Sequence, residues 1–238
     1  MTDPVDGSTA PQVSLKGAWG VLFAAPVVLG LVFGVFAGGL VVAQGLDVDD
    51  TQALVAAMTR HAAWPTVVAF SLMLALTTWR TRCDGMSLRD IGWQLPPLST
   101  TVLALMAGIV FAGVNARMLF PVVAKIQPSF DPSLSTFAWP VALVVFGVSV
   151  TSEEVLFRGY AWHQLSRRYG VLMASVVTSA FYAFLTPDPA WPLKVWALLF
   201  GLLLCALRAV TQSLPVVIVV HLLTTLAPKL WASTGATS

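Results

Sequence analysis

The chain has little of what a water-soluble domain relies on. Of its 238 residues, 10% are Asp, Glu, Lys or Arg, against about 25% in an ordinary globular protein, so most of its surface is not built for water. Basic residues number 13 and acidic ones 11, with a formal charge of +2 and no Lys/Arg-rich run, which excludes the basic footprint of a nucleic-acid-binding protein. Cysteine is limited to Cys83 and Cys205, too few for a disulfide framework or a zinc-type ligand set. His-Glu-x-x-His is also missing, which argues against a zinc site of that type, and neither a metal nor any other cofactor is expected. Glutamate is the scarcest of the charged residues: Glu153 and Glu154, side by side, are the whole complement.

What remains is apolar. Hydrophobic residues make up 57% of the chain and the mean hydropathy is +0.82. Uncharged runs over 18–44, 62–79, 100–124 (interrupted at Arg117), 137–152, 171–185, 191–207 and 214–230 are near the ~20 residues a bilayer span needs. They predict an all-α, polytopic transmembrane helical bundle of about seven spans. Residues 1–17, with Pro4 and Pro11, read as a disordered N-terminal tail and 18–238 as one membrane domain. The first run is too long for a signal-peptide core of ~7 to 15 residues and reads as a retained helix. The mixed segment 159–170 suits a helix end at the membrane interface, and the proline clusters at 128–132 and 187–189 read as loops. Lys16, Arg80, Arg82, Arg89, Arg158, Arg167, Arg168 and Arg208 fall on one side of such a bundle, against Arg60, Lys125, Lys194 and Lys229 on the other. The bias predicts a multi-pass protein of the cell membrane with its N-terminus in the cytoplasm, the loop 80–98 inside and the loop 127–136 outside.

Few groups in these runs can carry chemistry. Glu153 and Glu154 close the uncharged stretch 132–152, where a carboxylate loses hydration and needs a partner or a task. On a helix, Glu154 and Arg158 share a face and can pair, while Glu153 points about 100° away and stays free. His221 is the sole ionisable residue in 209–228, and Thr225 follows it one helical turn on. Asn115 and the scattered Ser and Thr read as links between helices or back to their own backbone. His61 and His163 lie near span ends beside cations and read as surface groups. Two carboxylates and a histidine on different helices can form a water-activating site, with Glu as general base and His as donor to an oxyanion. On spacing alone, a helix-end ion pair with His221 in a separate polar contact is the simpler reading.

The run Glu153-Glu154-Val155-Leu156-Phe157-Arg158-Gly159-Tyr160 resembles the first signature, Glu-Glu-x-x-x-Arg, of the CPBP family: the CAAX proteases and bacteriocin-processing enzymes, also called the Abi family. The loop Ser87-Leu88-Arg89-Asp90-Ile91-Gly92-Trp93 and the Ser213-Leu214-Pro215 leading to His221 extend the resemblance over about 86–230. His221 and Thr225 fall on the third signature, His-x-x-x-Asn or a similar polar residue. The second, Phe-x-x-x-His, lacks its histidine, whose place falls on Leu185 or, if Tyr182 stands for the Phe, on Thr186. The resemblance implies an intramembrane endopeptidase acting on a membrane-associated peptide or protein. In it Glu153 activates water, His221 and Thr225 hold the oxyanion, Glu154 and Arg158 support the site, and Thr186 can hydrogen-bond a water. A non-catalytic relative that binds a membrane peptide or partner protein in the same place is the alternative. A proton-coupled transporter fits less well, since no inverted repeat or pair of broken helices is seen.

Overall fold

The computed structural model describes residues 14–47, 49–119, 138–186 and 190–233. Among them the regular structure is helical, with no strand. The helices are α1 (Leu15–Gln44), α2 (Thr51–His61), α3 (Ala63–Cys83), α4 (Leu98–Val114), α5 (Trp139–Glu154), α6 (Trp162–Leu185), α7 (Trp191–Thr211) and α8 (Leu214–Ser233). Two wide-turn π segments continue α4 (Asn115–Leu119) and join α5 to α6 (Val155–Ala161). The protein is thus an all-α membrane bundle, as the hydropathy pattern predicts.

Over their described residues the seven expected runs fall on α1, α3, α4, α5, the second part of α6, α7 and α8; residues 120–137, with the loop expected at 127–136, and the loop expected at 187–189 lie outside the described residues. By length and composition four stretches qualify as spans, Leu15–Gln44, Leu98–Arg117, Trp139–Leu185 and Trp191–Thr211, and the pair α2 and α3, bent by 68°, makes a fifth if taken as one. The apolar part of α8, Leu214–Leu230, is shorter. The 47-residue stretch is not one straight rod. Gly170 sits at φ 83° and ψ 162°, and Trp162 Nε1 donates to Ser175 Oγ at 3.1 Å. Thirteen helical residues would separate those positions by about 20 Å, so the chain turns back on itself at Gly170, in a conformation open to glycine. The outer faces of α1 and α4 carry exposed Leu31, Val35, Leu103 and Val110, a surface suited to lipid.

The centre of the bundle is the segment that follows the glutamates. Every residue of Val155–Ala161 is buried, packed with Leu22, Met73, Ile91, Leu165 and Leu214 from four helices and a loop. In the first half of the mixed segment 159–170, Tyr160 and Trp162 lie inside the protein. They can do so because each polar tip finds a partner there. Tyr160 donates to Asp84 Oδ2 at 2.5 Å, and Trp162 reaches Ser175. Asp84 also pairs with Arg80 at 2.6 Å and accepts from Gln164 at 3.3 Å. Gln164 Oε1 in turn accepts from the Ser14 amide at 3.1 Å, and Ser14 Oγ caps α1 by accepting from the Gly17 amide at 3.2 Å. Residues 14–17, expected in the tail, are thus the cap and first turn of α1; residues 1–13 lie outside the described residues.

The loop between α3 and α4 is stapled to the start of α8. Ser87 N and Oγ both donate to Asp90 Oδ2 at 2.7 Å, which holds the Asp90 carboxyl below its ordinary range. Beyond this turn the Leu214 amide donates to Gly92 O at 2.8 Å, Ser213 Oγ to Gln94 O at 2.6 Å, and Arg208 Nη2 to Ile91 O at 3.2 Å. These bonds fix where α8 begins, and so the depth at which His221, two turns on, meets α5. Gly92 is required at the joint: its φ is 94°, and a Cβ there would lie 2.1 Å from Arg208 Nη2. Gly92→Ala is expected to destabilise the protein by at least ~1–3 kcal/mol in detergent-denaturation curves, whereas Gly113→Ala, in open space on α4, is neutral or slightly stabilising.

Candidate active site

α5 delivers two carboxylates in two different environments. The Glu154 side chain is fully buried, and that of Glu153 is 22% exposed. Glu154 Oε1 accepts from Arg158 Nη1 at 3.0 Å, one turn along the chain, so the i, i+4 pair expected from the spacing is present even though the intervening turn is π-helical. The Arg158 side chain is also wholly buried, its guanidinium centre 4.6 Å from the ring centroid of Tyr182 and 5.8 Å from that of Phe157. Aromatic faces thereby supply part of what water would give a cation elsewhere. Arg158 Nε and Nη2 and Glu154 Oε2 find no hydrogen-bond partner among the described residues.

The same Glu154 oxygen contacts His221 Nδ1 at 2.7 Å, across 67 positions of sequence. A carboxylate paired with arginine accepts, so the hydrogen of this bond sits on Nδ1 and the other ring nitrogen faces the opposite way. Nε2 lies 3.9 Å from Glu153 Oε2 and 3.4 Å from the Tyr182 hydroxyl. Two rings meet the imidazole edge to face, Tyr182 at 5.9 Å and Phe200 at 5.0 Å between centroids, and leave it little freedom to turn. His221 itself is 3% exposed. The arrangement joins α5, the π segment, α6, α7 and α8 at one point, with Glu153 as its most accessible charged member. Chemically it offers a carboxylate that can take a proton, beside an imidazole held in one orientation.

Two residues expected in the site spend their hydroxyls elsewhere. Thr225 Oγ1 donates to His221 O at 3.0 Å, within its own helix. Thr186 is the C-cap residue of α6; its hydroxyl donates to Tyr182 O at 3.2 Å, and its carbonyl accepts from Lys194 Nζ. Leu185, the other position for the missing histidine, packs against the core. The residue of α6 that reaches His221 is Tyr182, which the sequence offered only as a stand-in for an aromatic. The chain has three tyrosines, and this one falls inside an uncharged run; that rarity was the available signal. Among the described residues no group of three or more His, Cys, Asp or Glu is arranged to hold a metal ion.

This fold and site define a polytopic membrane protein with a buried glutamate–arginine–histidine constellation. Residues 135–227, from α5 to α8 and including every residue of that constellation, match the family model described as "Type II CAAX prenyl endopeptidase Rce1-like". The match covers 93 of the 238 residues and supports a relationship to the CPBP, or CAAX protease, family over that segment. No curated protein and no solved structure matches it.

Arg158 is expected to be the most costly side chain of the constellation to remove. Truncating one partner of a buried pair leaves an uncompensated charge, so Arg158→Met should destabilise the bundle by about 3–5 kcal/mol. Arg158→Met combined with Glu154→Leu should recover much of that loss while abolishing the contact to His221. Unfolding of the two variants in mixed micelles measures both effects.

Proposed function

We propose that the protein is an intramembrane endopeptidase that hydrolyses a peptide bond of a membrane-associated peptide or protein, with Glu153 as its general base. The observation that carries this reading is the division of labour between adjacent carboxylates. Glu154 is consumed by Arg158 and His221, whereas Glu153 is partly accessible and has His221 Nε2 3.9 Å away as its ionic neighbour. A purely structural helix-end pair needs Glu154 and Arg158 but gives no reason for a second carboxylate beside the histidine.

In the reaction, a water beside Glu153 attacks the scissile carbonyl carbon and gives one proton to the carboxylate. The carbonyl oxygen gains the electron pair and is stabilised by the His221 side of the site. Collapse of this intermediate breaks the C–N bond, and the proton on Glu153 passes to the leaving nitrogen. Glu154 and Arg158 hold the imidazole with Nδ1 engaged and Nε2 directed at the reacting atoms. For Nε2 to donate while Nδ1–H is engaged by Glu154, the step uses the imidazole in its doubly protonated form. Each of these steps uses the chain's own side chains.

Purified protein in liposomes, incubated with a library of membrane-proximal peptides and read by mass spectrometry, tests the reading. Glu153→Gln should lower cleavage by ~10²- to 10⁴-fold, the usual worth of general base assistance. Tight peptide binding without cleavage, unchanged in Glu153→Gln, would favour a non-catalytic binding role instead.

The reading also places the N-terminus and the loop after α3 in the cytoplasm of the cell, following the cation bias. Cys83 is an exposed native reporter at the end of α3, and Cys205 is buried. In a Cys205→Ser variant, a membrane-impermeant maleimide should label Cys83 in inverted vesicles and not in right-side-out ones; the opposite pattern inverts the topology.

A further inference from the structure

We propose that Tyr182 is a catalytic hydrogen-bond donor of this site, its hydroxyl supplying a donor where the sequence has no histidine at 185 or 186; the inference rests on the proposed proteolytic function. Three observations converge on it. The Tyr182 hydroxyl is 3.4 Å from His221 Nε2, on the same side of the imidazole as Glu153 Oε2 at 3.9 Å. Both separations are longer than a closed hydrogen bond between such atoms, as is common where a site awaits the group it acts on. The ring itself is fixed, with Arg158 4.6 Å from its centroid and Phe157 edge-on at 5.9 Å, so the hydroxyl is held at one place. Finally, the hydroxyls first expected to serve, Thr186 and Thr225, are both engaged with backbone carbonyls of their own helices.

The geometry suits the oxygen of the scissile carbonyl better than a purely structural contact. When water adds to the carbonyl carbon and its proton moves to Glu153, negative charge develops on that oxygen. A phenol hydroxyl and the Nε2–H of His221, approaching from neighbouring directions, donate to it together. Neither donor gives up its proton: as the C–N bond breaks, the electron pair returns to the carbonyl and the Glu153 proton goes to the amine. Tyr182 thus contributes in the transition state and little to ground-state binding.

Tyr182→Phe removes the hydroxyl and keeps the ring against Arg158, Phe157 and His221. In proteoliposomes the variant should lose ~10²- to 10³-fold in kcat, the effect of deleting one oxyanion donor, with KM and unfolding temperature unchanged. In protein labelled with ¹⁵N-histidine, the Nε2 resonance of His221, identified among three histidines by its loss in His221→Gln, should also move in Tyr182→Phe. A variant that cleaves at the wild-type rate overturns the proposal while leaving Glu153-dependent hydrolysis standing. A fall in kcat with a lowered unfolding temperature and an unmoved Nε2 resonance assigns Tyr182 to packing and also overturns it. If the wild-type chain shows no Glu153-dependent cleavage, the proteolytic reading and this proposal fall together.

Discussion

One oxygen atom organises the centre of this protein. Oε1 of Glu154 is shared by Arg158, four residues on, and His221, on a helix that arrives much later in sequence. All three side chains are almost completely removed from water, so none can be left alone without a penalty of several kcal/mol. The requirement that they stay together fixes the depth of α8 against α5 and the path of the segment between α5 and α6. It also decides which carboxylate is free: with Glu154 consumed, Glu153 is left beside the other imidazole nitrogen.

The surroundings serve the same constraint. The π segment brings Phe157 and Arg158 inward together, and α6 lays Tyr182 over the guanidinium. Phe200 from α7 closes the far side of the imidazole. On the opposite flank, Asp84 gathers Arg80, Tyr160 and Gln164, and the loop 84–97 fastens itself to the end of α7 through Ile91 and to the start of α8 through Gly92 and Gln94. Polar bonds of this kind inside a membrane bundle make up for the weak hydrophobic drive between helices in lipid. Glu153, 22% exposed, is the most accessible of the charged groups gathered there.

Much of this was legible in the sequence because so few charges compete. With two glutamates in the chain, the pairing of Glu154 with Arg158 followed from helical periodicity, and His221 stood out as the sole ionisable residue in 209–228. Hydropathy gave the positions of the long helices for the same reason. What was not legible depended on which way chains turn and which backbone groups lie nearby. Nothing local to Trp162 announces that the chain reverses at Gly170 and packs this indole against Ser175 inside the protein. Thr186 and Thr225 were placed in the site by the family resemblance, yet a hydroxyl on a helix has its own backbone within reach, and both take it. Tyr182 was overlooked because its role comes from contact with α8, which no spacing within α6 records.

The central claim is that the glutamate pair and His221 form one site, and the scarcity of these residues makes it directly measurable. Protein carrying ¹³C only at glutamate carboxyls and ¹⁵N only at histidine rings, in lipid bilayers, can show a dipolar contact in solid-state NMR if some histidine lies against residue 153 or 154. The account predicts a strong carboxyl-to-imidazole coupling at hydrogen-bond distance from one glutamate, a weaker one from the other, and loss of both in His221→Gln. Absence of any such coupling in the wild-type protein would contradict it.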